Sequence, residues 1–277
     1  MINFGVFTDT HYCQCESKGD RFYERSAQKL RNCIQEFNNK DLDFIISLGD
    51  LIDRDEASFN TILKILQVSS APVYHVLGNA EFNVDRTHKQ SMPQKLGLPN
   101  SYYEFSIGSW RFIILDGNDL SFHARTDTAS NKYQETISLF NQVTKDNLIY
   151  AKDWNGGIGE EQLNWVRNKL EISEKKNMNV AIFCHFPVLP VTRHCLWNSD
   201  ELIDLMNTFS CVKIFISGHN HEGNYWMENG IHYFTLKAMV IGENQNAFAE
   251  VSLSKGKIEI KGYGTEVNRS LKFEYRF

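Results

Sequence analysis

Short apolar runs, each closed by a polar cluster, recur along the chain. They cover residues 2–8 before Asp9, 44–48 before Gly49-Asp50, 73–77 before Gly78-Asn79, 180–184 before His185, and 212–217 before Gly218-His219. Runs of this length, rich in Val, Ile and Phe, predict buried strands. Amphipathic stretches at 24–39, 57–68, 160–175 and 199–209 predict helices between them; in the first, Leu30, Ile34 and Phe37 recur at helical spacing on one face. Strand–helix alternation predicts an α/β fold. In open α/β sheets ligands bind beyond the carboxyl ends of strands, so these five polar clusters would meet at one sheet edge.

Two regions depart from that rhythm. Residues 117–159 are long, polar and aromatic, and end in Asn155-Gly156-Gly157-Ile158-Gly159. A connection of this length is either a lid that binds substrate or an excursion that packs on itself. From Gly230 onward the chain reads as short strands between Gly, Asn and Lys turns, completing a second sheet rather than forming an independent domain. The whole chain, 1–277, is expected to be one domain with 117–159 as the insertion.

The 277 residues carry 29 Lys+Arg against 34 Asp+Glu, a net charge of −5, with 42% hydrophobic and 23% charged residues. These values exclude disorder and argue against a duplex nucleic-acid binder, which needs surplus positive charge. The irregular spacing of Cys13, Cys15, Cys33, Cys184, Cys195 and Cys211 suits neither a zinc ribbon nor a secreted disulfide scaffold, and Cys13-Gln14-Cys15 is expected to be too local for a bridge. The amino-terminal residues lack a signal-peptide pattern, and no apolar run reaches the roughly 18–20 residues of a membrane span. A cytoplasmic location is expected, with no membrane contact; protein partners stay open.

The polar clusters offer Asp9, His11, Asp50, Asp53, Asn79, His185, His219 and His221. Carboxylate, imidazole and amide oxygen suit Mn, Fe, Zn or Mg. Two cations about 3.5–4 Å apart need a carboxylate able to bridge them, and Asp50 lies centrally. Taken singly, Asp9-Thr10-His11 reads as a hydrogen-bonded turn and His185 as a core histidine. The order and spacing of all five segments together are much harder to reach by chance.

Asp9-Thr10-His11, Gly49-Asp50-Leu51-Ile52-Asp53, Gly78-Asn79-Ala80-Glu81, His185-Phe186-Pro187 and Gly218-His219-Asn220-His221 resemble, in order, the motifs of the calcineurin-like metallophosphoesterases. The resemblance implies a two-sheet α/β sandwich flanked by helices, with a dinuclear metal site at the strand carboxyl ends. It also implies that Asp9, His11, Asp50 and His221 hold one ion, and Asp50, Asn79, His185 and His219 the other. Two divalent ions are expected, Mn²⁺ first, with Fe, Zn, Mg or Co as alternatives. Trp154 through Gly159, with Gln162, Leu163 and Trp165, looks like the manganese-dependent ADP-ribose/CDP-alcohol diphosphatase branch.

At position 80 the family pattern has a histidine that acts on the leaving oxygen and is oriented by the carboxylate matched here by Asp53. Ala80 can do neither, so the protein as written is expected to be strongly impaired, a positioned acid being worth about 10²–10⁴-fold. An engineered inactivation fits the retained ligands better than natural decay does; a different chemistry is the third explanation. Arg54, Phe122, Tyr150, Trp154, Asn155, Gly156 and Gly157 are candidate substrate contacts: Arg54 for phosphate, the aromatics for a nucleobase, the glycines for close backbone approach. For Arg54 a solvated turn, and for the aromatics lid packing, are the competing readings. The implied activity is metal-dependent hydrolysis of a phosphoanhydride or phosphodiester in a nucleotide-type small molecule. A cyclic-nucleotide phosphodiesterase, a phosphomonoesterase or phosphoprotein phosphatase, and a non-catalytic metal-dependent binding protein are the alternatives.

Overall fold

The computed structural model describes residues 1–274. The first half of the chain runs β1 (Ile2–Phe7), α1 (Ser26–Asn38), β2 (Phe44–Ser47), α2 (Ser58–Leu66), β3 (Val73–His75), the short α3 (Arg86–Lys89) and α4 (Met92–Lys95), then β4 (Tyr103–Ile107), β5 (Trp110–Ile114) and α5 (Asn131–Lys145). It continues as α6 (Glu160–Lys175), β6 (Asn179–Phe183), α7 (Ser199–Asn207), β7 (Val212–Ser217), β8 (Asn224–Glu228), β9 (Ile231–Thr235), β10 (Ala247–Ser254), β11 (Lys257–Gly264) and β12 (Arg269–Lys272). The described strands form two six-stranded sheets, ordered β12-β11-β10-β1-β2-β3 and β4-β5-β6-β7-β9-β8.

Alternation along the strands builds the layers. Phe44 and Ile46 of β2 face inward with Phe4 and Val6 of β1, meeting Phe112, Phe183, Ile214 and Ile216 of the other sheet. Ile45 points the opposite way, into the cluster made by Leu30, Ile34 and Phe37 of α1 and Phe59 and Ile62 of α2. Helices α6 and α7 cover the second sheet likewise, through Val166, Leu170, Leu202 and Met206 against Val180 and Ile182. Gly5 lies under the Phe37 ring, where a β-carbon would overlap it, so α1 sits close on β1.

The parallel pairs β1–β2–β3 and β5–β6–β7–β9 point their carboxyl ends the same way within each sheet. The five expected strands and four expected helices are all present, to within a few residues at their ends, but the strands do not share one sheet edge as expected: β1, β2 and β3 belong to one sheet and β6 and β7 to the other. The hairpin β4–β5 is not among the expected elements. Arg111 interrupts its apolar run, and that buried guanidinium is matched by Glu104 at 3.7 Å. The tail does not all join the second sheet as expected. Only β9 lies beside β7, whereas β10 pairs antiparallel with the free side of β1 and carries β11 and β12 with it. β1 is parallel to β2 on one side and leaves its other edge open to an antiparallel partner.

Cys13 and Cys15 are joined as a disulfide, which corrects the expectation that they lie too close in sequence. A bend at Gln14 and Cys15 sets their Cα atoms 5.4 Å apart, within the usual range. Among the described residues no helix is long and apolar enough to cross a membrane.

Phe44 is fully buried, stacked on Phe4 at 4.8 Å and edge-on to Phe112 at 4.9 Å. Phe44→Ala is expected to cost about 3–5 kcal/mol of unfolding free energy in urea titrations; a loss below about 1 kcal/mol would show that the two sheets do not depend on this stack.

Candidate metal centre

The carboxyl ends of β1, β2, β3, β6 and β7 converge on one point. Asp9, His11 and His221 form one group of potential metal ligands and Asp50, His185 and His219 a second, each with its ligand atoms within 4.8 Å of one another. Asp50 touches both: its Oδ2 lies 3.2 Å from His11 Nε2 and 3.3 Å from His185 Nε2. In the first group Asp9 Oδ1 faces His11 Nε2 at 3.5 Å and His221 Nε2 at 3.3 Å. In the second, His185 Nε2 and His219 Nδ1 are 3.1 Å apart. Asn79 lines the same cavity, of about 390 Å³. The side-chain oxygen of Asn79, Oδ1 of Asp9 and both ring nitrogens of His11 are buried without a hydrogen bond. Buried acceptors are rarely left unpaired, and a cation would satisfy this donor set of carboxylate, imidazole and amide oxygen.

The local backbone shows why glycines accompany these candidate ligands. Asp9, His11, Asp50 and His219 adopt positive φ of 51°, 44°, 54° and 63°. Such conformations cost non-glycine residues of order 1–3 kcal/mol each and persist only where surroundings enforce them. A β-carbon at Gly78 would overlap the Asp50 carboxylate, and one at Gly218 would overlap Thr8 and the Asp9 carboxylate. The strand ends can therefore approach only because these positions lack side chains.

Hydrogen bonds fix each carboxylate by one oxygen and leave the other for the centre. Asp9 Oδ2 accepts from Thr8 Oγ1 at 2.6 Å and His219 N at 3.0 Å. Asp50 Oδ1 accepts from Ala80 N at 2.7 Å. Glu81 accepts from Asp50 N, Leu51 N and Gly78 N at 2.9, 2.6 and 2.7 Å, and so ties two loops together. Its place in the third motif was visible in the sequence, but its role was not. Burial pushes Glu81 up to about 7, with the Asp50 charge adding to the effect and the backbone donors opposing it.

The electrostatics favour positive charge. Burial opposes charging His11, but Asp50, Asp53 and Asp9 outweigh it and lift the imidazole to about 10. Burial likewise opposes charge on His185, and Asp50 and Asp9 raise it to about 9. Burial alone would raise Asp9 and Asp50, yet their imidazole neighbours hold both below the ordinary carboxylate range. Burial, then the proximity of His185, keeps His219 neutral.

The other candidate residues fall into distinct places. Asp53 is not left without partners beside Ala80: Oδ2 takes Arg54 Nε and Nη2, both at 2.5 Å, and Oδ1 faces His11 Nδ1 at 3.4 Å. Arg54 is thus engaged, with its guanidinium also over the Tyr23 ring. Ala80 is buried. Trp154 lines the cavity and carries the Arg193 guanidinium 4.9 Å above its ring. Phe122 and Tyr150 pack with Val143, Cys195 and Trp197 in the cluster around α5. Gly156 and Gly157 serve chain packing: Trp197 N donates to Gly156 O, and Gly157 pairs with Leu120 in both directions. That bridge joins the two ends of the 117–159 segment, which is folded upon itself. Asn155 has a different place from the one its glycine-rich setting suggests. Its Oδ1 lies 3.0 Å from His219 Nε2, while Nδ2 donates to Tyr150 O and Arg193 O. With Oδ1 accepting from Nε2, Nδ1 of His219 is the lone-pair side, aimed at the centre.

The profile of the calcineurin-like phosphoesterases matches residues 2–223. The chain belongs to that family. It is a metallophosphoesterase, a hydrolase of phosphoric esters or anhydrides. It is 28% identical to the manganese-dependent ADP-ribose/CDP-alcohol diphosphatase of Xenopus laevis, covering 98% of this chain and 90% of that protein. It is 27% identical to the protein of the same description from Arabidopsis thaliana, over 99% and 97%. The crystal structure of a dimetal phosphatase from Danio rerio superposes with a TM-score of 0.89 at 26% identity, over 99% of both chains.

Asn155→Ala is expected to lower affinity for a divalent ion about 10–100-fold, the usual effect of losing a group that orients a ligand. Calorimetric Mn²⁺ titration checks this; unchanged affinity would remove Asn155 from the centre.

Proposed function

We propose that this phosphoesterase binds two divalent ions, Mn²⁺ foremost, and hydrolyses the diphosphate of a nucleotide-type small molecule such as ADP-ribose or a CDP-alcohol. Asp9, His11, Asp50 and His221 hold one ion, and Asp50, Asn79, His185 and His219 the other. The observation that carries this reading is the pair of ligand groups sharing Asp50, in a chain alignable almost end to end with diphosphatases. When bound, such ions lower the pKa of water toward neutrality and neutralise phosphate oxygens.

The protein's own residues set the remaining conditions. Asp9 and Asp50 contribute a formal charge of −2, and the imidazoles and Asn79 none, so two divalent ions leave the site positive and attractive to an anion. Asp53 holds His11 through Nδ1 and Arg54 through its guanidinium. The backbone N–H at position 80 anchors Asp50 whatever its side chain, so Ala80 leaves the ligand framework standing. What the alanine removes is a proton donor for the leaving oxygen, worth about 10²–10⁴-fold where that oxygen needs a proton. That loss favours a second reading, a binding protein that retains metal and captures a phosphorylated ligand without turning it over.

The test is turnover by the wild-type chain and Ala80→His across diphosphates, cyclic nucleotides and phosphomonoesters, with Mn²⁺ bound. The expected result is release of a nucleoside monophosphate from ADP-ribose or a CDP-alcohol, with Ala80→His faster by up to about 10²–10⁴-fold only on substrates whose leaving oxygen needs a proton. Metal-loaded protein that turns over no diphosphate in either form would overturn the diphosphatase and leave the binding protein.

A further inference from the structure

Arg21 and Arg193 lie outside all five metal motifs, yet they line the same cavity as His11, Asp50, Asn79, His219 and His221. The two also wall an adjoining chamber of about 460 Å³, together with His194, His221, Asp20 and Glu222. The two spaces adjoin, sharing Arg21, Arg193, His194 and His221 in their walls.

Both arginines are held at their backbones. Arg21 exchanges hydrogen bonds with Lys18 at 3.1 and 3.0 Å, and Arg193 O accepts from Asn155 Nδ2 at 2.9 Å. Arg193 is further steadied by its Trp154 stack. Among the described residues arginine ion pairs form at Arg25, Arg54, Arg111 and Arg125 but not at Arg21 or Arg193. Two unpaired guanidiniums beside one cavity repel each other and favour an anion between them; Arg matches phosphate through its planar fork. His194 adds a buried Nδ1 without a hydrogen-bond partner, on a ring packed 5.3 Å from that of His219.

We propose that Arg21 and Arg193 form the subsite for the departing phosphate of a diphosphate, and that this subsite keeps the chain competent for phosphoanhydrides in spite of Ala80. The inference rests on the diphosphatase reading above. In hydrolysis of a P–O–P link, the oxygen of water bonds to the reacting phosphorus and the bond to the bridging oxygen breaks. The electron pair leaves with the second phosphate, and the proton lost by water passes to solvent. A phosphate leaving group has a second pKa of about 6 and departs unprotonated near neutrality. Two guanidiniums at that oxygen stabilise the charge directly, so the imidazole missing at position 80 is dispensable. An alkyl phosphoester has no such option, because its alkoxide needs a proton. Asp20 and Glu222 in the far chamber suit hydroxyl groups rather than a further phosphate, which places a sugar or polyol beyond the arginines.

The test uses the full-length, Mn²⁺-loaded chain with Arg21→Ala, Arg193→Ala, the double variant, and the Arg→Lys pair as folding controls. Calorimetry would compare imidodiphosphate, a non-hydrolysable diphosphate, with orthophosphate. Each alanine is expected to weaken imidodiphosphate about 10–100-fold, the effect of losing a charged hydrogen bond, while orthophosphate shifts less than about 3-fold and metal content stays constant. Equal weakening of both anions, or of neither, overturns the subsite. Turnover separates the two proposals. A wild type that hydrolyses diphosphates with KM unchanged by the double variant retains the diphosphatase and loses the subsite. Selective imidodiphosphate binding without any diphosphate turnover retains the subsite as a binding site and loses its catalytic part.

Discussion

The Asp50 carboxylate is the constraint around which this molecule is arranged. One oxygen is gripped by the Ala80 amide and the other stands between His11 and His185, which come from different sheets. A carboxylate buried in that position is costly unless positive charge surrounds it. The surrounding structure provides for that charge at every level. Gly49 and Gly78 let the loops close over it, Glu81 binds three of their amides, and two layers of helices hold the sheets in register. The left-handed backbone at Asp9, His11, Asp50 and His219 is retained because the parallel strand ends, locked by the aromatic core, leave those residues nowhere else to go.

The aromatic core and the centre are coupled through the strands. Phe4, Phe44 and Phe183 fix the facing of β1, β2 and β6, and each of these strands ends two or three residues before Asp9, Asp50 or His185. A slip of one residue in any register would turn a ligand away from the centre, since side chains alternate faces. The fold is thus a device for presenting side chains from distant parts of the chain where the strand ends of the two sheets meet, and the charge they gather suits a phosphate ligand.

Much of this was legible in the residues alone. The strands before Asp9, Asp50, Asn79, His185 and His219 announce themselves because buried parallel strands are continuous apolar runs, and the motif order pointed to the polar side chains that the fold gathers there. The helices were legible from periodicity. What escaped was whatever depends on contacts across the chain. Asn155 resembles a phosphate-binding loop residue, but its partner His219 lies 64 positions away. Phe122 and Tyr150 are aromatics in a polar segment, and sequence cannot say which way they face; they form the small core around α5. Arg21 sits among ordinary turn residues, and only the fold brings it to Arg193 and the metal groups. The hairpin β4–β5 was hidden by a buried charge, and the edge of β1 gave no hint that the tail would return to it.

The central claim is that two ions share one carboxylate. Titration of the intact chain with Mn²⁺, followed by electron paramagnetic resonance, tests it most directly. Two ions per chain with a spin-coupled signal, replaced by an uncoupled single-ion signal in Asp50→Asn, is the result this account predicts. A single uncoupled ion in the wild-type chain, or coupling that survives Asp50→Asn, would contradict it.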